Sequence, residues 1–373
     1  MLPVTALFHH HNPRLILDIA AAPGSKTTQL LNHDLDGAIL ANDMSSSRLK
    51  MLNANLIRCG VSNYDLLHQD GRRLDDTLPP VFDGILLDAP CGGEGTIRKD
   101  PKAWDNWSEE SLGALSELQK QLIETAWRLL APGGRLIYST CSLSREEKQE
   151  VVAHLLNEVG DQGTLIDLSD MFPDANRVCE NKMLHIWPEV FNTEGFFVSA
   201  IEKSTSSETI TSPSLTRTQP LASNKVIEFV RNYVSERFRY QLPANQITTS
   251  RNGNKQVVWL QSAIPVSLQG VRTQRSGIKL CELFESRKGL GINLDHEFCR
   301  TYGHFFTQAR QELTNQQAVE YFQGKNLTTE TDISEGEVLL TLAGLPVGLG
   351  KMLKNGTIKN QLPRNLVHDN AWG

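Results

Sequence analysis

The sequence predicts an α/β fold whose first half is a Rossmann-like, doubly wound sheet of mostly parallel strands. Two observations carry that reading. Short apolar runs alternate with amphipathic helical stretches across residues 1–203, the pattern of a sheet covered on both faces. Two of those runs, FDGILL at 82–87 and RLIY at 135–138, lead into DAPC and STC, so Cys91 and Cys141 fall at the carboxyl ends of strands. In an open α/β sheet that edge is where ligands bind, and both thiols are expected to face one pocket.

Taken in order, strands are expected at 15–19, 38–41, 64–67, 82–87, 135–138, 165–168 and 195–201, a seven-stranded sheet complete by about residue 203. Between them, residues 45–58 put Leu49, Leu52 and Leu56 on one helical face. Leu115, Leu118, Leu122, Ala126 and Leu129 line a longer helix that stops at Pro132-Gly133-Gly134. Ser144 and Glu147 have the spacing of a capping box and are read as opening a helix straight after the Cys141 strand, where the helix N-terminus would favour a thiolate. Residues 204–222, rich in Ser and Thr, read as a linker. An α+β intermediate module follows at 223–284, with Val226, Phe229, Val230 and Tyr233 on one helix face and a strand near 257–260. Residues 285–373 end in short, glycine-punctuated strands at 338–342 and 346–349, as in a small β-barrel.

Across 373 residues, 39% hydrophobic and 21% charged is the balance of a folded globular chain, long enough for two or three domains. No apolar run approaches the roughly 18 residues of a membrane span. Residues 1–8 lack the basic start of a signal peptide, so a cytoplasmic protein without membrane association is expected. The six cysteines, at 59, 91, 141, 179, 281 and 299, show no CxxC pair and no metal-ligand spacing, and are expected to be free thiols. His9-His10-His11 has no carboxylate or thiol spaced to complete a site, so no metal is expected and the run reads as a polar turn. The net charge of -6 hides an asymmetry: residues 1–203 carry 18 Lys+Arg against 29 Asp+Glu, and residues 204–373 carry 19 against 14. The basic half is a candidate for binding a polyanion, although a solvated surface of mixed sign gives the same counts.

The loop DIAAAPGSK, residues 18–26, lacks both the GxGxxG of dinucleotide sites and the Gly-Lys pair of a Walker A loop. Its small residues, Ala20, Ala21, Ala22, Pro23, Gly24 and Ser25, allow a ligand close to the backbone without a phosphate cradle. That suits S-adenosylmethionine, which joins an adenosine to a charged amino acid and has no phosphate. Asp43 at the end of 39–42 is placed to bind ribose hydroxyls, and Asp70 at the end of 66–69 to accept from the adenine amine. Lys26, Arg48 and Asp88 complete the expected cofactor set. Single aspartates at strand ends are common turn residues; their joint spacing is what argues for a cofactor.

In order along the chain, DIAAAPGSKTTQL, AND, QDGR, LLDAPCGGEGT and YSTCSLSREE resemble the motifs of the RsmB/RsmF family of bacterial 16S rRNA cytosine-C5 methyltransferases, nearest to its RsmF type. The likeness covers nearly the whole chain, because the basic tail AVEYFQGKNL to LPVGLGKMLKNGTIKNQLPRNL is similar to that family's PUA-like RNA-binding module. The resemblance implies an S-adenosylmethionine-dependent enzyme that adds a thiolate to C6 of cytosine, because C5 alone is a poor nucleophile. It implies Cys141 as the nucleophile, Cys91 in product release, Asp88 at the N3 and amino edge of the base, and Lys26 as electrostatic support. The residues themselves do not order the cysteines, since DNA cytosine methyltransferases attack from a Pro-Cys motif.

The same resemblance implies 16S rRNA or the small ribosomal subunit as partner, with cytosine 1407 of the decoding region as target. A monomer is expected. A target base must leave its stack to reach such a pocket, and RNA is held largely by phosphate contacts. The candidates are Arg98, Lys99 and Lys102 beside Cys91, with Trp104 and Trp107 near them, and Lys351, Lys354, Lys359 and Arg364 with Asn355 and Asn360 in the tail. Core packing accounts for the tryptophans equally well. Family members carry a further RNA-binding segment ahead of the catalytic domain, and this chain, which opens inside the lead-in to Leu2-Pro3, is expected to lack it. A tRNA or 23S rRNA target, or a noncatalytic RNA-binding role, is the alternative.

Overall fold

The computed structural model describes residues 1–33, 37–99, 107–206, 221–253, 255–262, 264, 268, 270–286, 289–329 and 331–367. The chain divides into two compact units, one of Met1–Asn55, Asn63–Thr218 and Ala263–Ser276, the other of Leu56–Ser62, Gln219–Ser262 and Gly277–Gly373.

In the first unit the chain runs α1 (Leu2–Phe8), β1 (Leu15–Asp18), α2 (Ser25–Asn32), β2 (Ala38–Asn42), α3 (Ser46–Cys59), β3 (Tyr64–Leu67), β4 (Phe82–Asp88), α4 (Glu109–Leu129) and β5 (Leu130–Thr140). It continues through α5 (Gln149–Val159), β6 (Gly163–Leu165), β7 (Cys179–Glu180), β8 (Met183–Ile186), α6 (Pro188–Phe191) and β9 (Phe196–Lys203). The strands β3, β2, β1, β4 and β5 lie side by side and parallel, and β9 closes antiparallel on β5. Every residue of β1, β2 and β3 is buried, as a sheet covered on both faces requires of its runs LILD, AILAN and YDLL. Leu122, Ile123 and Ala126 of α4 and Val151, Val152 and Leu155 of α5 share one core with Leu17, Leu40, Ile85 and Leu87. The register sets Asp18 beside Leu86 and Asp88 beside Ser139, so the ends of β1, β4 and β5 meet on one rim.

The α/β class and the doubly wound sheet are as expected, but among the described residues the sheet has ten strands rather than seven. The β7–β8 hairpin was not anticipated, and the strand expected at 165–168 is the shorter β6, which pairs with residues 201–203 of β9 while β8 pairs with its residues 196–198. Nor is the sheet complete by residue 203. Strand β12 (Thr273–Ser276) adds antiparallel to the β3 edge, and Leu268 and Val271 just before it sink into the first unit's core. Its sequence, TQRS, has no apolar alternation to announce a strand; an otherwise bare edge supplies the pairing.

The second unit holds α7 (Asn224–Phe238) and an antiparallel sheet in the order β10 (Ile247–Asn252), β11 (Lys255–Leu260), β13 (Ile278–Ser286), β14 (Gly289–Leu294). Then come α8 (His296–Tyr302), β15 (Arg310–Glu312), α9 (Asn315–Phe322), β16 (Leu327–Thr328), β17 (Gly336–Leu342), β18 (Leu345–Met352) and β19 (Thr357–Asn360). Among the described residues the expected barrel is a five-stranded sheet, β15-β17-β18-β19-β16, with β15 and β16 at its edges. Val230 and Phe238 of α7 share a core with Leu280, Phe298, Phe306, Leu339 and Leu349. That core runs across residue 284, while Leu313, Ala318, Tyr321, Val338, Leu340 and Ile358 form a second core within 285–373. Most of the expected linker, 207–220, lies outside the described residues. Among the described residues no helix is long and apolar enough to cross a membrane.

Candidate active site

Three strand ends are tied together by Asn42, which sequence reading passed over as part of β2. Its amide donates to Ile19 O at 2.9 Å and Gln69 O at 3.1 Å, and its Oδ1 accepts from Gln69 N at 3.0 Å. The adjoining Asp43 is buried; it accepts from Ala22 N at 3.2 Å and Ser45 N at 2.8 Å, with Arg48 Nη1 3.5 Å away. Arg48 also donates to Ala22 O, so the Asp43–Arg48 pair shapes the loop 20–26 from behind. Gly24 takes φ +106°, and a Cβ there would stand 2.4 Å from Leu52 Cδ1, so glycine is required. Asp70 is turned toward Arg72, with Oδ2 2.6 Å from Nη2, and that bond holds its pKa below the usual carboxylate range. Arg72 occupies both oxygens, Oδ1 accepting from its backbone N at 3.1 Å and Nε at 3.0 Å and Oδ2 from Nε at 3.1 Å, so a ligand amine at Asp70 would have to share or displace these bonds.

Asp18, noted from sequence only as the start of the loop, is the most perturbed acid on this rim. Its side chain is 1% exposed; Oδ2 accepts from Thr27 Oγ1 at 2.7 Å, and Oδ1 has no hydrogen-bond partner. Burial pushes its pKa up to about 7 against the pull of Thr27 and Lys26. A buried carboxylate with an open oxygen beneath a loop of small residues is the environment a cationic ligand satisfies, so these residues fit a cofactor that carries an ammonium and a sulfonium.

On the other side of the rim the two cysteines come together as expected, with Cys91 Sγ 3.0 Å from Cys141 Sγ. Their titrations move apart: the hydrogen bond from Cys141 lowers the Cys91 thiol, while the same bond and burial raise Cys141 well above the ordinary range. This reverses the expectation of a helix-favoured thiolate at Cys141. The predicted capping box does not form, because α5 begins only at Gln149 with Lys148 as its uncapped N-cap. Lys26 donates to Asp88, whose other oxygen accepts from Ser139 Oγ at 2.7 Å, and Lys26 Nζ lies 5.5 Å from the centre of the Phe196 ring. Neither the Lys26–Asp88 pair nor Ser139 was foreseen as a unit.

Glu147 turns inward instead of capping. Its carboxylate, fully buried, accepts from Gly92 N at 3.1 Å, Gln119 Nε2 at 2.7 Å and Ser142 Oγ at 2.9 Å. Gln119 also donates to Pro90 O at 2.8 Å, and Tyr138 Oη donates to Glu147 O at 2.7 Å. Gly95 N donates to Cys141 O at 2.7 Å, and a Cβ on Gly95 would lie 2.4 Å from that oxygen. The loop after β4 thus rests directly on the backbone of the second cysteine.

Of the RNA candidates in the first unit, Arg98 is exposed with its guanidinium donating to Thr193 O at 3.3 Å and Asn192 Oδ1 at 3.0 Å; Lys99 and Trp107 are also exposed. Lys102 and Trp104 lie outside the described residues. In the second unit, Lys351 on β18 and Lys359 on β19 are exposed cross-strand partners, Lys354 sits in the turn between them, and Arg364 is exposed beyond β19. Asn355 and Asn360 are structural: Asn355 Oδ1 accepts from Thr357 N at 3.1 Å, and Asn360 Nδ2 ties to Tyr321 O and Lys325 O. The histidine run does find a carboxylate. His9, His10 and Asp170 offer ligand atoms within 4.8 Å of one another, and His9 Nε2 is already hydrogen-bonded to Asp170 Oδ1 at 3.1 Å.

Known proteins share much of this sequence. The family model described as 16S rRNA methyltransferase RsmB/F matches residues 4–202, and that of the methyltransferase RsmF PUA domain matches residues 309–368. The chain is 41% identical over 381 residues to ribosomal RNA small subunit methyltransferase F of Aeromonas salmonicida, covering 99% of this chain and 78% of that protein. It is 41% identical over 377 residues to the protein of that name from Psychromonas ingrahamii, with 99% and 78% covered. The Pectobacterium carotovorum protein is 40% identical over 379 residues, with 100% and 76% covered. The chain therefore belongs to the RsmB/F family of methyltransferases, whose methyl donor is S-adenosylmethionine.

Proposed function

We propose that this protein methylates C5 of a cytosine in 16S rRNA through a covalent bond between Cys141 and C6. The observation that carries the reading is the pair of thiols 3.0 Å apart at the ends of β4 and β5, beside the Lys26–Asp88 pair. A methyltransferase acting on oxygen or nitrogen has no use for two thiols on its catalytic rim. The names of the relatives support the small-subunit substrate, and the target we assign is cytosine 1407 of the decoding region.

The backbone of Ala20, Ala21, Ala22, Pro23, Gly24 and Ser25 would hold the cofactor, with Asp18 toward its ammonium, Asp43 toward the ribose and Asp70 toward the adenine amine. Arg48 and Lys26 shape that cleft from either end. When bound, S-adenosylmethionine supplies an electrophilic methyl. Cys141 adds to C6, its proton passing to N3 as the ring takes up charge, and C5 becomes the nucleophilic carbon. Asp88, held by Lys26 and Ser139, faces the N3 and amino edge. Once C5 carries the methyl, Cys91, the thiol of lowered pKa, takes the C5 proton, and the electrons of that bond expel Cys141 as thiolate. The proton on Cys91 then returns across the short gap to Cys141, and the N3 proton leaves to solvent.

Lys351, Lys354, Lys359 and Arg364 would hold RNA phosphates, with Arg98 and Lys99 nearer the thiols. The protein would work as a monomer in the cytoplasm, where thiols stay reduced. The test is methyl transfer from tritiated cofactor to small-subunit RNA, free and assembled, from cells lacking the modification, followed by bisulfite mapping. Label at one decoding-region cytosine is expected; label only in tRNA or 23S rRNA overturns the substrate, and none in any RNA overturns the activity.

A further inference from the structure

We infer that Glu147 is a positioning residue whose buried carboxylate clamps the two cysteine loops together and thereby sets the gap between Cys91 and Cys141. Its three donors come from three different places. Gly92 N belongs to the loop that carries Cys91, Ser142 Oγ to the residue after Cys141, and Gln119 Nε2 to α4. Gln119 in turn holds Pro90 O, the residue before Cys91, so both sides of that cysteine are anchored to one carboxylate, directly or through one amide. Tyr138, on the strand leading to Cys141, is held to Glu147 through its backbone oxygen.

The choice of residue argues for this role. Glu147 is 0% exposed, and among the described residues no basic side chain pairs with it; Glu94 lies nearby with the same charge. Burial accordingly pushes its pKa up, while Ser142, Gln119 and Gly92 pull it down. An unpaired buried carboxylate is costly to folding, and an apolar or amide residue would fill the space more cheaply. Three converging donors give the reason to keep it: two ionised oxygens accept from all three as they stand, whereas an amide keeps Gly92 and Gln119 on its oxygen only if the Ser142 hydroxyl turns to accept from its nitrogen. The catalytic consequence rests on the covalent reading above: misplacement of a reacting group by about 1 Å costs on the order of a hundredfold in rate.

The thiols themselves are the ruler. In oxidised dithiothreitol, Cys91 and Cys141 give up two protons and two electrons to form a disulfide, and the reagent is reduced to its dithiol; the equilibrium reports how closely the two sulfurs are held. Mass spectrometry of the linked peptides distinguishes this pair from the other cysteines. Glu147→Ala is expected to lower the disulfide's stability about tenfold or more and kcat by roughly ten- to a hundredfold, with calorimetric affinity for S-adenosylmethionine unchanged. Glu147→Gln is expected to recover most of the disulfide stability, because the Ser142 hydroxyl can turn to accept from the new amide. Ser142→Ala, which removes one donor and leaves the carboxylate, is expected to shift both readouts in the direction of Glu147→Ala by less, and carries the test if Glu147→Ala does not fold. A folded Glu147→Ala or Ser142→Ala protein with wild-type disulfide stability overturns the inference. Because the ruler needs no RNA, it stands even if the wild-type protein proves inactive, so failure here is separable from failure of the proposed function.

Discussion

At the scale of single residues, the clearest consequence of the site is the titration of Asp18. Its folded pKa of about 7 lies above the 3.8 of an unperturbed carboxyl, so between those values the folded state binds a proton that the unfolded chain has lost. Stability then falls as pH rises through that window, by roughly 3–5 kcal/mol at 1.36 kcal/mol per unit, and the loss is complete above it. Asp18→Asn should remove this decline: the variant's denaturation midpoint should gain on wild type between pH 4.5 and 8 while cofactor affinity drops. Parallel pH curves for the two proteins would contradict the assignment. Gly95→Ala should cost more than about 2 kcal/mol and suppress methyl transfer, since its Cβ meets the Cys141 and Gly195 carbonyl oxygens, which are backbone and cannot step aside. Wild-type stability by urea titration would refute that. Cys91, Cys141, Lys26 and Asp88 were legible because their chemistry sits in contiguous motifs at strand ends. Glu147 and Gln119 were not, because one imitates a helix cap and the other is a polar residue on the core face of α4, where periodicity registers only apolar positions.

Among the elements, the apolar strands β1 to β4 and the buried second half of β5 could be read directly, since a strand buried on both faces announces itself by composition, whereas β5 begins at Leu130, ahead of the Pro132-Gly133-Gly134 that reads as a break. The misreadings share a cause: tertiary partners decided them. Residues 144–148 have cap spacing, yet three buried donors claim Glu147 and delay α5 to Gln149. Strand β12 is polar and short, and exists because β3 offers an unpaired edge and the core accepts Leu268 and Val271. A fragment ending at residue 203 should therefore keep β1 to β9 but expose the β3 edge, and self-associate where the whole chain does not. Light scattering at matched concentration checks this. A fragment that stays monomeric with the thermal midpoint of the whole protein would show that β12 adds nothing to the sheet.

For the whole molecule, the charge asymmetry between the two halves was visible in the sequence, but not where the basic groups gather. Folding sets Lys351 directly across from Lys359 on one neighbouring strand and from Glu337 on the other, so two cations face an RNA phosphate against one carboxylate of the protein. Replacing both by Ala should weaken RNA binding and reduce the slope of log K against log salt by about 1.4 to 1.8, two phosphate contacts' worth, without loss of stability. An unchanged slope would place the RNA elsewhere. Point substitutions serve better than deleting residues 285–373, because that cut opens the core shared by Phe238, Leu280, Phe298 and Leu339. The order of the two thiols, with Cys141 attacking the base and Cys91 letting it go, is read by denaturing electrophoresis of the protein after incubation with cofactor and small-subunit RNA. Cys91→Ala should trap a protein–RNA complex that survives denaturation, and the Cys91→Ala, Cys141→Ala double variant should trap none. A stable complex in Cys141→Ala with none in Cys91→Ala would contradict the account.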